Sequence, residues 1–425
     1  NFASVAGPNG RNGFSMFVAS SAAFLKPSSL LLAHGSAIAL RDSANGADLI
    51  MIGSRELLTA ASELADARRR ENLRVASAPI DEIYAEFGNG IRSSEAIRDF
   101  LNFVRSNWTP PAPMYVLFLG DATYDTRDHL GYGVAAETMP IPLEKGLYLD
   151  FGSDNWFVTP IERADLPVMA VGRIPTNNPV VLMEYIRKVL DYESGRRAPE
   201  DSVGRKLVFV SDKDTREEGF DAKSDALAAS NTQSQFITSR VSRYALASDL
   251  ATRYAIESSF GDGALMVSYL GHGSSDRWAG SEVFMSGVAD GLTNDKLPIV
   301  VSFTCLGNYF YDADPKAISL AESLIYNSQG GAIAVWGSTT ITMVSAQVAL
   351  AQAFYNRLGV KTAQGYDVVR LGDLILQAKH TVGLHAASRD VIRSYTLLGD
   401  PTIKLPQSSF MGSQQRVGIP VASDQ

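Results

Sequence analysis

A single cysteine, Cys305, stands among 425 residues. Without a second thiol there is no intrachain disulfide and no zinc site built on two or more thiolates. The chemistry left to it is nucleophilic: a thiolate attacks and a neighbouring imidazole moves the proton. Of five histidines, His272 alone has a setting that suits this partnership. It lies in Gly271-His272-Gly273, 33 residues before Cys305. Glycines there permit a sharp turn and let a substrate carbonyl approach the Gly273 amide. With the Cys305 amide this gives two donors for an oxyanion. Asp212 is a candidate to orient the imidazole, as the third member of a triad does. Taken singly, each residue has a plainer explanation. A lone cysteine on a strand is usually a small buried apolar side chain, and a histidine at a strand end is usually an ordinary loop residue. The coincidence at neighbouring strand ends favours a site.

Apolar runs place these residues. Strands are predicted at 49–52, 74–76, 115–119, 207–210, 265–270, 299–304 and 332–336. Asp121, Asp212, His272 and Cys305 each follow one of them, where ligands bind in open α/β sheets. Between strands the apolar spacing turns helical. Ser54 is a candidate N-cap for a face of Leu57, Leu58, Ala61, Leu64 and Ala65. Asn178-Pro179 is a cap followed by proline at the first helical position. Arg68, Arg69 and Arg70 read as a solvated helix end. Strand–helix alternation implies an α/β fold with mainly parallel sheets. We expect a β segment at 1–45 (the end of a preceding β domain), an N-terminal α/β subdomain at 46–164, a catalytic α/β subdomain at 165–405 with its own sub-sheet, and a tail or linker at 406–425. The chain begins at Asn1 rather than Met, as a processed fragment would, and the apolar stretch 14–25 reads as strand.

Composition narrows the function. The 38 basic and 46 acidic residues give a net charge of −8, which argues against a nucleic-acid partner. No apolar run reaches the length of a membrane span. There is no G-x-x-x-x-G-K-[ST], no G-x-S-x-G and no H-E-x-x-H. Asp121, Asp125 and Asp128 could offer oxygens to calcium, but not at EF-hand spacing, so a surface turn is expected. His34, His129, His380 and His385 read as ordinary loop or surface residues.

Tyr269-Leu-Gly-His-Gly-Ser274 with Trp278, then Ser302-Phe-Thr-Cys305 and Phe310, resembles the gingipain-type cysteine peptidases of family C25, in the caspase-like clan. Ile83-Tyr84, Phe87, Arg98-Asp-Phe100, Tyr124-Asp125, Gly172-Arg-Ile-Pro175 and Leu398-Gly-Asp-Pro401 are similar to further family signatures. The resemblance implies a caspase/gingipain-like fold of two α/β subdomains and a cysteine endopeptidase acting on protein or peptide substrates. It implies His272 as the catalytic histidine, Cys305 as the nucleophile, and the Gly273 and Cys305 amides as the oxyanion donors. Asp212 matches the acid that orients the histidine, with Asp214 and Glu217 as fallbacks. Asp225 falls near the acid that binds a basic side chain before the scissile bond. Trp278, Tyr269 and Phe303 fall on the substrate side, Trp278 either walling the specificity pocket or packing beneath the histidine loop. Asn308 stands where glycine is usual after the nucleophile, and Asn tolerates left-handed geometry. The region 337–346 lacks the Trp that lines the pocket of arginine-specific gingipains. No cofactor is required by the resemblance, and a structural calcium is compatible with it. It also implies a secreted or surface-exposed bacterial protein with type IX secretion-system components as partners. Two rivals stand beside the peptidase: a sortase-like transpeptidase of that system, and a surface or adhesion module with a weakened site.

Overall fold

The computed structural model describes residues 39–405, apart from 136, 161–165, 200–205, 217, 231–235, 281–282, 363–364, 367–369 and 384–388. Most of the β segment expected at 1–45, and the tail expected at 406–425, lie outside the described residues.

Ten strands form one sheet. They are β1 (Leu49–Gly53), β2 (Val75–Pro79), β3 (Tyr115–Leu119), β4 (Ala170–Ile174), β5 (Lys206–Ser211), β6 (Ile237–Ser242), β7 (Met266–Leu270), β8 (Ile299–Phe303), β9 (Ala334–Ser338) and β10 (Tyr395–Leu398). Their order is β2-β1-β3-β4-β10-β9-β8-β7-β5-β6. The two halves expected as sub-sheets are joined edge to edge, β4 to β10, at the pair Arg173–Leu398. Neighbours are parallel except β9 and β10. β4 is hydrogen-bonded to β3 along five residue pairs, so it completes the first half of the sheet. The two halves repeat a plan: the second strand lies on one side of the first, the third on the other. Such a reversal of order opens a crevice beyond the strands' carboxyl ends. In the second half it falls between β5 and β7, which deliver Asp212 and His272.

The strands read as continuous apolar runs because both faces are covered. Leu49 and Met51 pack into one cluster, Ile50 and Ile52 into another. Helices supply the cover, and their caps are in place. Ser54 accepts from Leu57 N–H ahead of α1 (Arg55–Ala60), and α2 (Ser62–Arg70) continues after a turn at Ala61. Asn178 caps the helix Pro179–Glu193 by accepting from Val180 N–H. Ser319 and Glu322 form a reciprocal capping box at the start of Leu320–Tyr326.

The arginine run departs from expectation. Arg69 is half-exposed, but Arg68 is fully buried. Its guanidinium donates to Asp400 Oδ2 through Nε at 3.1 Å and Nη2 at 2.7 Å, and to Glu193 at 2.6 Å. Asp400 is equally buried, and its other oxygen accepts from the Thr402 N–H and hydroxyl. Removing one partner leaves the other charged and unpaired in the core. Arg68→Met and Asp400→Asn are each expected to lower unfolding free energy by about 3–5 kcal/mol, and Arg69→Met by under ~1 kcal/mol. Urea denaturation followed by circular dichroism checks the contrast.

Candidate active site

His272 sits on a small antiparallel hairpin. Gly273–Ser274 pairs with Arg277–Trp278, which pairs in turn with Phe284–Met285. The Ala279 N–H donates to the His272 carbonyl at 2.7 Å. Pairs alternate in antiparallel ladders, so the adjoining Gly273–Trp278 pair is the non-hydrogen-bonded kind. The Gly273 N–H therefore points away from its hairpin partner, as an oxyanion donor must. Beneath the hairpin, Tyr269 and Trp278 stack with ring centroids 4.6 Å apart and planes 2° off parallel. The Tyr269 hydroxyl donates to the His272 carbonyl at 2.6 Å and accepts from Ala279 N–H at 2.8 Å. Trp278 Nε1–H donates to Ser302 Oγ at 2.8 Å, three residues before Cys305. A Cβ on Gly273 would fall 2.5 Å from Thr304 Oγ1. Only glycine allows the histidine loop to lie this close to the cysteine loop.

Cys305 follows β8, and its thiol faces the Thr342 carbonyl at 3.8 Å. Burial pushes the thiol above its ordinary pKa. Among the described residues the Cys305 N–H donates to no carbonyl. Leu306 takes a left-handed φ of 59°, which a branched side chain adopts only under constraint. Asn308, expected to adopt that geometry, does something else: its amide donates to the carbonyls of Val335 at 3.0 Å and Thr396 at 3.1 Å. The left-handed turn after Cys305 falls at Leu306, and Asn308 braces it against β9 and β10.

The acid on the imidazole ring is Glu218. His272 Nε2 lies 3.2 Å from Glu218 Oε1 and 3.0 Å from Thr215 Oγ1. Burial works against the charge on Glu218, but the N–H groups of Arg216 and Thr215 and the Thr215 hydroxyl outweigh it and hold the carboxyl down to about 2. Phe220 stands edge-on to the imidazole, 5.0 Å away. Asp212 does not touch the ring. Its Oδ2 accepts from the His272 main-chain N–H at 3.2 Å, and its Oδ1 accepts from Arg243 at 2.7 Å and Lys213 N–H at 2.8 Å. It holds the histidine loop rather than the imidazole. Asp214 accepts from Phe220 N–H at the start of the helix Phe220–Ser230. Glu217 lies outside the described residues. Glu218 went unrecognised because it sits in Glu217-Glu218, on a loop whose path alone decides which carboxylate reaches inward.

The substrate-side residues are placed differently from expectation. Trp278 and Phe303 are fully buried and Tyr269 is 2% exposed, so none of them walls an open pocket. Trp278 packs beneath the histidine loop, and Phe303 packs against Trp336 and Tyr395. Asp225 is ion-paired with Arg240, which occupies the charge expected to meet a basic substrate. The acidic turn is satisfied from within the chain: Asp125 accepts from the N–H groups of His129 and Leu130 at 2.9 and 2.7 Å. Asp121 is pushed up to about 7 by loss of water around its carboxyl. Among the described residues no group of three or more His, Cys, Asp or Glu side chains could hold a metal ion.

The model of peptidase family C25 matches residues 42–406. The chain belongs to family C25. It is a cysteine-type peptidase with protein as its substrate. Its fold is similar to that of the Arg-specific cysteine proteinase gingipain R (RgpB), at TM-score 0.68 and 18% identity over 84% of this chain and 78% of that one. The complex of the Porphyromonas gingivalis RgpB pro- and mature domains gives TM-score 0.67 and 18% identity, over 84% of this chain and 79% of that one. Dimeric latent PorU from the same organism is matched at TM-score 0.43 and 16% identity, over 85% of this chain and 30% of that one. A search of curated proteins returns no match. No helix among the described residues is long and apolar enough to cross a membrane.

The two carboxylates near His272 are separable by experiment. Glu218→Gln is expected to lower kcat about tenfold or more with little change in Tm, since it removes the charge at the ring. Asp212→Asn is expected to lower stability by about 1–3 kcal/mol, since it weakens a buried acceptor of the Arg243 guanidinium. Peptide-cleavage kinetics and thermal unfolding on both variants check the assignment. Equal kinetic losses with equal Tm losses would contradict it.

Proposed function

We propose that the chain is an endopeptidase in which Cys305 is the nucleophile, His272 the proton carrier and Glu218 the residue that orients the imidazole. The observation that carries this is the capture of His272 Nε2 by Glu218 and Thr215, which leaves Nδ1 to exchange protons. The thiol proton passes to that nitrogen as Sγ bonds to the scissile carbonyl carbon. The carbonyl oxygen becomes an oxyanion, which the Gly273 and Cys305 amides stabilise. The imidazolium returns its proton to the leaving amine, the C–N bond breaks, and a thioester remains. A water molecule gives its proton to His272 as its oxygen bonds to the thioester carbon, the C–S bond breaks, the carboxylic acid product leaves, and the proton returns from His272 to Sγ. This scheme uses side chains and amides alone and calls on no cofactor. The family supports secretion or surface exposure as the setting, and with it contact with a type IX system. Asp212 supports the site indirectly, through the histidine loop. Preference for basic residues draws no support from Asp225, whose carboxylate is taken by Arg240.

Cys305→Ala is expected to abolish cleavage of a denatured protein substrate, and undiminished turnover sinks the proposal. The half-buried thiol also sets a pH dependence. A raised pKa keeps it protonated through neutral pH, so alkylation of the free enzyme by iodoacetamide should be slow at pH 7. It should accelerate as pH rises beyond the ordinary thiol range. Because no other thiol exists, whole-protein mass spectrometry reads Cys305 alone.

A further inference from the structure

We infer that this peptidase selects large apolar residues beside the scissile bond. The inference rests on the proposed site and deepens it. Two segments flank the thiol. Residues 340–343 carry Thr342, whose carbonyl accepts from Cys305 Sγ, and Thr340, whose carbonyl accepts from Leu306 N–H at 3.1 Å. Residues 147–149 are joined to them: the Thr340 hydroxyl donates to the Leu149 carbonyl at 3.2 Å. From these two segments Leu147, Tyr148, Leu149, Ile341 and Met343 reach solvent, with 38 to 66% of each residue exposed. Scattered exposed apolar residues need no explanation, but a group hydrogen-bonded into one patch beside a reactive thiol marks a binding surface.

The patch is built rather than loose. Lys145 and Asp150 form an ion pair across the neck of the 147–149 turn. A Cβ on Gly146 would fall 2.3 Å from the Leu149 carbonyl, so only glycine closes the turn this tightly. The Leu147 N–H donates to Asp390 at 2.8 Å. Charge around the patch points the same way. Asp150, at the neck of the turn, is paired with Lys145, and Asp225, the acid expected to meet a basic side chain, is paired with Arg240. An arginine or lysine side chain entering here would lose water against the five apolar side chains of the patch. An apolar side chain would gain burial on every side of the patch.

The test separates this inference from the peptidase reading. Cys305→Ala protein is titrated with fluorescent peptides that differ only in the residue before the scissile bond, Leu, Phe or Arg. Binding is read by anisotropy, and hydrolysis of the same peptides by the native chain is measured in parallel. Leu and Phe peptides are expected to bind about tenfold or more tighter than the Arg peptide. Leu147→Asp and Met343→Asp, each placed in the Cys305→Ala background, are expected to collapse that ratio. Leu147 projects from an exposed turn, so its variant should retain the native Tm. Equal or tighter binding of the Arg peptide overturns the inference, and so does a ratio that both variants leave intact. Apolar preference in binding without hydrolysis by the native chain would leave this inference standing and remove the peptidase reading.

Discussion

Arg68 and Asp400 meet with both side chains withdrawn from water, and neither can be charged and buried without the other. They are 332 positions apart in sequence. Arg68 lies in the last turn of α2, a helix of the first half. Asp400 opens the turn after β10, the strand that lies between the two halves. The Tyr185 hydroxyl accepts from the Asp400 N–H at 3.2 Å and donates to the Ile333 carbonyl at 2.9 Å, just before β9. One buried charge pair thus fixes the turn, the turn fixes β10, and β10 pairs with β9. Phe303 and Trp336 pack on Tyr395 of β10, which carries the constraint to β8, the strand that leads into Cys305.

A second buried pair does similar work in the first half. Arg173 bonds both oxygens of Asp154, at 2.8 and 2.6 Å, and the Gly120 carbonyl at 2.8 Å. Its guanidinium also lies over the Phe310 ring, 5.2 Å from the centroid. The residues Gly172-Arg-Ile-Pro175 and Leu398-Gly-Asp-Pro401 are thus parts of one frame. Each signature owes its charged residue to a partner that must be matched in the dry interior.

Much of the fold is legible in the chain because a strand buried on both faces has to be apolar throughout. β1, β3, β5, β7 and β8 announce themselves in this way. β6 does not: Ile237–Ser242 is an edge strand, and its run Ile-Thr-Ser-Arg-Val-Ser is partly exposed. β4 is hidden by Arg173, a charge that reads as surface until its partner is known. Arg68 misleads for the same reason. In the site, Cys305 and His272 stand out because their residue types are rare and their neighbours unusual. Glu218 cannot be singled out in this way. Carboxylates are common, and which of Asp212, Asp214, Glu217 and Glu218 faces the ring depends on loop geometry, not on local composition. The buried aromatics show the converse. Tyr269, Trp278 and Phe303 accompany the catalytic pair in sequence because they hold it in place, not because they meet substrate.

The Trp278–Ser302 hydrogen bond and the close approach of Gly273 to Thr304 join the histidine hairpin to the cysteine strand. Cys305 and His272, the proposed nucleophile and proton carrier, therefore share a single chassis. Glu218 and Thr215 ride on a different part, the loop after β5. The proposed site is thus divided into a braced pair and a separately carried orienting acid. Substitutions on the loop of Thr215 and Glu218 can change what the imidazole ring contacts while the brace between the histidine hairpin and the cysteine strand is kept.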